Sequence, residues 1–159
     1  MIDHWAFARD AKHLLNAMGI SGGKPMLLVG DEKYRGITLK ALSELTGVLP
    51  INLNVVLAQA LIDAIDTRAD VSTIIAAMAP ESPILLLDRI HILMLPQLKI
   101  NAIDVLCRVA RRRAVCASWP GRVDRGRLRY ADPDHPECLN EDASRALVLD
   151  LSTNESIYG

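Results

Sequence analysis

Three short apolar runs in this chain each end on a residue suited to handling a phosphate or a metal ion. Met26-Leu27-Leu28-Val29 ends on Gly30, Ile84-Leu85-Leu86-Leu87 on Asp88, and Ala114-Val115-Cys116-Ala117 on Ser118. The glycine opens the segment Gly30-Asp31-Glu32-Lys33-Tyr34-Arg35-Gly36-Ile37-Thr38. A loop that cradles nucleotide phosphates reads G-x-x-x-x-G-K-[ST]. Its backbone N–H groups hold the oxygens, its Lys neutralises them and its hydroxyl binds Mg²⁺. The present segment starts and ends as such a loop does, but it is one residue longer and has Ile37 at the lysine position. It also carries Asp31 and Glu32, whose repulsion of a triphosphate is on the order of several kcal/mol at close range. Lys33 or Arg35 within the loop, or Lys40 beyond it, is left to supply the missing cation.

The candidate nucleotide-binding set is therefore Gly30, Lys33, Arg35, Gly36 and Thr38. ATP is the expected ligand if the site works at all. Asp88 and Thr38 would then hold Mg²⁺, and Ser118 would sense the γ-phosphate. Arg89 follows Asp88 where a hydrolysing enzyme has a Glu to activate water, which disfavours ATPase activity, and no catalytic residue is assigned.

The second feature is a block of arginines. The chain has 159 residues and a formal charge of −1, but that figure is an average over unlike segments. Residues 108–129 hold eight Arg against Asp124 alone, whereas residues 130–159 hold one Arg and seven acids. Arg108, Arg111 and Arg112 share a face if residues 100–113 form one helix. Arg113 leads into the strand that ends on Ser118, where an arginine can reach a neighbouring subunit's nucleotide. Arg122, Arg125, Arg127 and Arg129 follow, with Arg127 and Arg129 on one face at strand period. These residues, with Arg111 and Arg112, form a candidate contact for the chain's own acidic tail, a neighbouring subunit or DNA, and DNA is the least favoured. Aromatic residues are too few to suggest base stacking.

The elements that must position these groups alternate. Helices are expected over 4–18, from Gly36 onward through Ile37, Ala41, Leu42 and Leu45, over 55–65, over 70–79 with Asp70 as N-cap, and over 100–113. Strands are expected at 26–30, at 50–54 on an edge, and at 84–88 and 114–118 in the interior. Later strands are expected at 127–130 and 146–151, with a turn at 132–136 between them and a frayed tail from Ser152. This order predicts an α/β fold, a mainly parallel sheet flanked by helices like a P-loop NTPase with an AAA-type core, without a helical lid domain. One domain is expected over 1–159, with its core at about 26–131, an N-terminal helix at 4–18 and a C-terminal strand and tail at 140–159.

Composition narrows the classes. Half of the residues are hydrophobic, enough for a packed core. No run approaches the ~18 uninterrupted apolar residues of a membrane span, and Met1-Ile2-Asp3-His4 lacks the features of a signal peptide. A cytoplasmic protein is expected. Cys107, Cys116 and Cys138 match no disulfide or zinc spacing, and Cys107 and Cys116 are expected to be buried thiols. Trp119, between a strand and Pro120-Gly121, is expected to be a packing anchor.

Two longer runs carry a resemblance. Leu85-Leu86-Leu87-Asp88-Arg89-Ile90-His91-Ile92-Leu93 resembles the LLDNIEIL element of the BrxF family, small P-loop proteins of type 3 BREX phage-defence systems. Arg111 through Trp119-Pro120-Gly121, continuing as Gly126-Arg127-Leu128-Arg129-Tyr130-Ala131-Asp132-Pro133-Asp134-His135-Pro136-Glu137, is similar to that family's strand ending in Trp-x-Gly and its GxLxYAxPxHPE run. Ile51-Asn52-Leu53-Asn54 resembles its second strand. The resemblance spans residues 26–140 or so. It implies a bacterial antiviral component that acts with other BREX proteins, including an ATPase and a DNA methyltransferase. By position, Gly30, Gly36 and Thr38 fall on that family's phosphate loop, Asp88 on its second motif and Ser118 on its strand end. The family's loop has GKT where this chain has Gly36-Ile37-Thr38. Three functions are compatible with these features: an accessory assembly or regulatory subunit with a degenerate nucleotide site, an ATP-binding oligomerisation switch, and a DNA-binding adaptor related to initiator ATPases.

Overall fold

A computed structural model describes residues 4–18, 23–63, 70–131 and 138–151. Within them the chain runs α1 (His4–Met18), β1 (Met26–Val29), α2 (Glu32–Thr46), β2 (Ile51–Asn52), α3 (Leu53–Asp63), α4 (Val71–Ala76) and β3 (Ile84–Asp88). Two short 3₁₀ turns precede α5 (Ala102–Ala110), followed by β4 (Ala114–Ser118), β5 (Arg122–Asp124), β6 (Arg127–Tyr130), β7 (Leu139–Asp142) and β8 (Leu147–Asp150). The expected turn at 132–136 and the tail from Ser152 lie outside the described residues.

β1, β3 and β4 are wholly apolar up to their last residue because they are covered on both sides. They form the centre of a five-stranded parallel sheet in the order β2-β3-β4-β1-β8. After β1 the chain crosses to the far edge at β2, then returns strand by strand and passes β1 to β8. Crossovers that run in opposite directions must lie on opposite faces if each is right-handed. The apolar clusters agree. Leu39 and Leu42 of α2 pack with Phe7 and Leu15 of α1 over one face, while α3, α4 and α5 pack over the other.

Several expectations change. The helix expected after Gly36 begins at Glu32, because the Asp31 side chain caps it by accepting from the Lys33 N–H at 2.9 Å and Glu32 suits the positive end of the helix dipole. The helix expected over 100–113 spans 102–110, capped by Asn101, so Arg111 is its C-terminal cap and Arg112 lies beyond it. Asp70 does cap α4, but that helix ends at Ala76. The helix expected over 55–65 starts earlier, at Leu53, and its last residues lie outside the described set. The strand expected to begin at Ala146 starts at Leu147 and stands parallel to β1.

A second sheet, antiparallel and ordered β5-β6-β7, covers part of the α5 side. β5 and β7 were not expected, since three or four residues give too short an alternation to register. Trp119 anchors this sheet. Its ring is fully buried and its indole N–H donates to the Arg129 carbonyl at 3.3 Å. Gly121 permits the approach, because a Cβ there would lie 1.8 Å from that same carbonyl oxygen.

Candidate functional site

In open parallel sheets the ligand crevice lies beyond the carboxyl ends of strands whose following connections leave on opposite faces. Here those strands are β1 and β4. β1 leads to α2 on one face, and β4 leads to the small sheet on the other. Gly30 and Ser118 therefore flank the crevice, and Asp88 stands one strand away. Gly30 has φ 132, a conformation that L side chains rarely adopt, which lets the chain turn from β1 into α2 within two residues.

Arg35 fills this crevice. One turn into α2 it is only 9% exposed. Its Nε–H donates to the Gly30 carbonyl at 3.0 Å and its Nη1–H to Ser118 Oγ at 2.7 Å. Burial pulls its pKa below the ordinary arginine value, while Glu32, Asp88 and Asp31 pull it back up. The space left over is a cavity of about 70 Å³ lined by Glu32, Arg35, Gly36, Asp88, Arg89, His91 and Ser118.

The other expected residues are not all brought together. Gly36 lines the crevice, exposed and helical. Thr38 is fully buried in α2 and does not line it. Lys33 and Lys40 are exposed and stand away from it. Asp88 accepts from the Arg89 N–H at 2.9 Å. ATP with Mg²⁺ does not fit the residues present: Arg35 fills the crevice, the expected loop is helix from Glu32, and Asp31 and Glu32 occupy the helix terminus where phosphates would bind.

Arg89 has a left-handed backbone, φ 52, a conformation suited to Asn rather than Arg. Its side chain crosses to Glu32 of α2 at 3.4 Å, an exposed ion pair over the cavity. Asn54 holds the loop beneath it. The Asn54 backbone N–H donates to the Arg89 carbonyl at 2.9 Å, and its side-chain oxygen accepts from the Ile92 N–H at 2.8 Å.

Asp150 was not foreseen. It ends β8 at the same level, in register with Val29, and is 5% exposed. The signal was available, since Leu147-Val148-Leu149-Asp150 repeats the apolar-then-acid pattern of Leu85-Leu86-Leu87-Asp88.

Arg113 does not project toward a neighbour. Its Nη1 and Nη2 donate to the carbonyls of Ala76, Met78, Ala79 and Ser82, tying the segment after α4 to the start of β4. Arg108, Arg111 and Arg112 are exposed. A larger cavity of about 340 Å³ lies between residues 93–102 and β7. Two of its polar side chains, Asn101 and Glu141, satisfy each other at 2.6 Å.

The strand ends and their connections thus form a crevice that is filled by an arginine of the chain's own helix. No family model matches the chain, and no curated protein and no solved structure matches it, so the chemistry of the site is carried by its own geometry.

Proposed function

We propose that the protein is an accessory subunit of a BREX-type bacterial antiviral system, a P-loop-like α/β module that works through assembly with partner proteins rather than through nucleotide turnover. The defence role rests on the sequence resemblance across residues 26–140 or so. The loss of nucleotide binding rests on one observation, the Arg35 guanidinium bridging Gly30 and Ser118 where phosphates would lie. An AAA-type core would keep that crevice open between the same strand ends. Here Arg35 takes that space.

Calorimetric titration with Mg-ATP tests this reading. No heat is expected at millimolar nucleotide, with the wild type or with Arg35→Ala. Saturable heat with the wild type that disappears in Arg35→Ala would overturn it in favour of the ATP-binding switch, with Arg35 leaving Ser118 to take the place of the missing lysine. The partner claim is tested separately, by co-purification of the tagged chain with the other proteins of a type 3 BREX system.

A further inference from the structure

The β5–β6 hairpin carries Arg122, Arg125, Arg127 and Arg129 within eight residues. Its register sets Arg122 opposite Arg129 and Asp124 opposite Arg127. Period two then places all four of those residues on one face, while Val123 and Leu128 turn to the core. β7 adds Asn140 beside Arg129 and Asp142 beside Arg127. Arg127 is held in place, its Nε–H donating to Asn140 Oδ1 at 2.8 Å and its Nη2–H to the Asn140 carbonyl at 3.1 Å.

Two features of this face are unusual. Arg129 Nε is a buried donor with no hydrogen-bond acceptor among the described residues, since Asp124 stands 3.8 Å away. Buried donors are satisfied almost everywhere in folded proteins, so this one is an exception. At the hairpin tip Arg125 has φ 51 and Gly126 φ 75. A two-residue turn of this kind is the natural place of Asn-Gly, and Arg is strained there.

We propose that this arginine face binds the phosphate backbone of duplex nucleic acid, independently of whether the crevice binds nucleotide. Guanidinium groups recognise phosphate oxygens through paired N–H donors, and a two-stranded ribbon is of a size to lie in a duplex groove. The face carries no aromatic side chain among the described residues, which disfavours stacking on single strands. Asp124 and Asp142 offset part of the charge, so binding is weak and sequence-independent, with Kd on the order of 10⁻⁴–10⁻⁶ M.

Fluorescence anisotropy of a labelled short DNA duplex tests it. Three phosphate contacts, from Arg122, Arg125 and Arg129, predict a log–log salt slope of about −2.7. Arg122→Gln with Arg125→Asn removes two of them without disturbing the fold, since Arg122 is exposed and Asn suits the left-handed site. That variant is expected to bind about tenfold more weakly, with a slope near about −1, while Arg111→Gln with Arg112→Gln stays close to wild type. The proposal is overturned by absence of binding at low salt, by unchanged binding in the hairpin variant, or by an equal loss in the Arg111 and Arg112 variant. Preference for poly-glutamate over the duplex would overturn it too, and would assign the face to an acidic protein instead.

Discussion

At the scale of single residues the decisive group is Arg35, because one side chain makes the crevice a closed joint. Two of its donors act on acceptors from different strands, Gly30 after β1 and Ser118 of β4. A hydrogen bond from a charged donor contributes about 1.5–3 kcal/mol, and the planar fork is what lets one group reach both acceptors. Lysine keeps the charge and loses the fork. Arg35→Lys is therefore expected to lower unfolding stability by about 2 kcal/mol, and Ser118→Ala by about 1 kcal/mol less than that because Gly30 remains bonded. Urea titrations of both variants check the order, and an Arg35→Lys protein as stable as wild type would contradict the bridging role. The sequence named Arg35 as a possible phosphate ligand, and that much was legible from its charge and position. Its inward direction was not, because it depends on α2 beginning at Glu32. The cap that sets this start is Asp31, whose charge by itself points only to repulsion of phosphate.

At the scale of elements, caps and turns decide where each group lands. α4 is six residues long, and Asp70 holds its first turn by accepting from the Ser72 backbone N–H and hydroxyl. These bonds, the side-chain one first, lower the Asp70 pKa. A depressed carboxylate stabilises the fold above its unfolded pKa of ~3.9 and loses that contribution as pH falls through its folded value. Asp70→Ala is accordingly expected to cost about 1 kcal/mol at neutral pH, with the gap to wild type closing below about pH 4. Thermal unfolding of the pair across that range measures it. In the β5–β6 hairpin the opposite sign is expected, since Arg125→Asn relieves a left-handed residue and should add about 1 kcal/mol. Gly121→Ala pushes a methyl group into the Arg129 carbonyl and should cost about 2–3 kcal/mol, read by the same urea titration. The main sheet was legible because β1, β3 and β4 are continuous apolar runs with breakers at their ends. The small sheet was not: Arg122–Asp124 and Leu139–Asp142 are too short and too polar, and what places them is the distant contact of Trp119 and Gly121 with Arg129.

At the scale of the whole molecule, the parallel sheet divides two apolar clusters that no strand can leave separately. Leu27 and Val29 of β1 face one cluster while Met26 and Leu28 face the other, and the same alternation runs through β3 and β4. Peeling the α3–α5 layer away would expose the sheet that the α1–α2 layer also packs on, so the two layers should unfold together. The cysteines allow this to be measured, because Cys107 belongs to the first cluster and Cys116 to the second. Burial raises the Cys107 pKa and pushes Cys116 up to about 12, and the thiolate is the reactive form. Cys138 is exposed. In the native protein at mildly alkaline pH, Cys138 is expected to react with a thiol reagent at once while Cys107 and Cys116 stay protected. Under increasing urea, both buried thiols should become reactive at one common midpoint, coincident with the loss of helical signal. A lower midpoint for Cys107 would instead show the α3–α5 layer opening as a unit of its own.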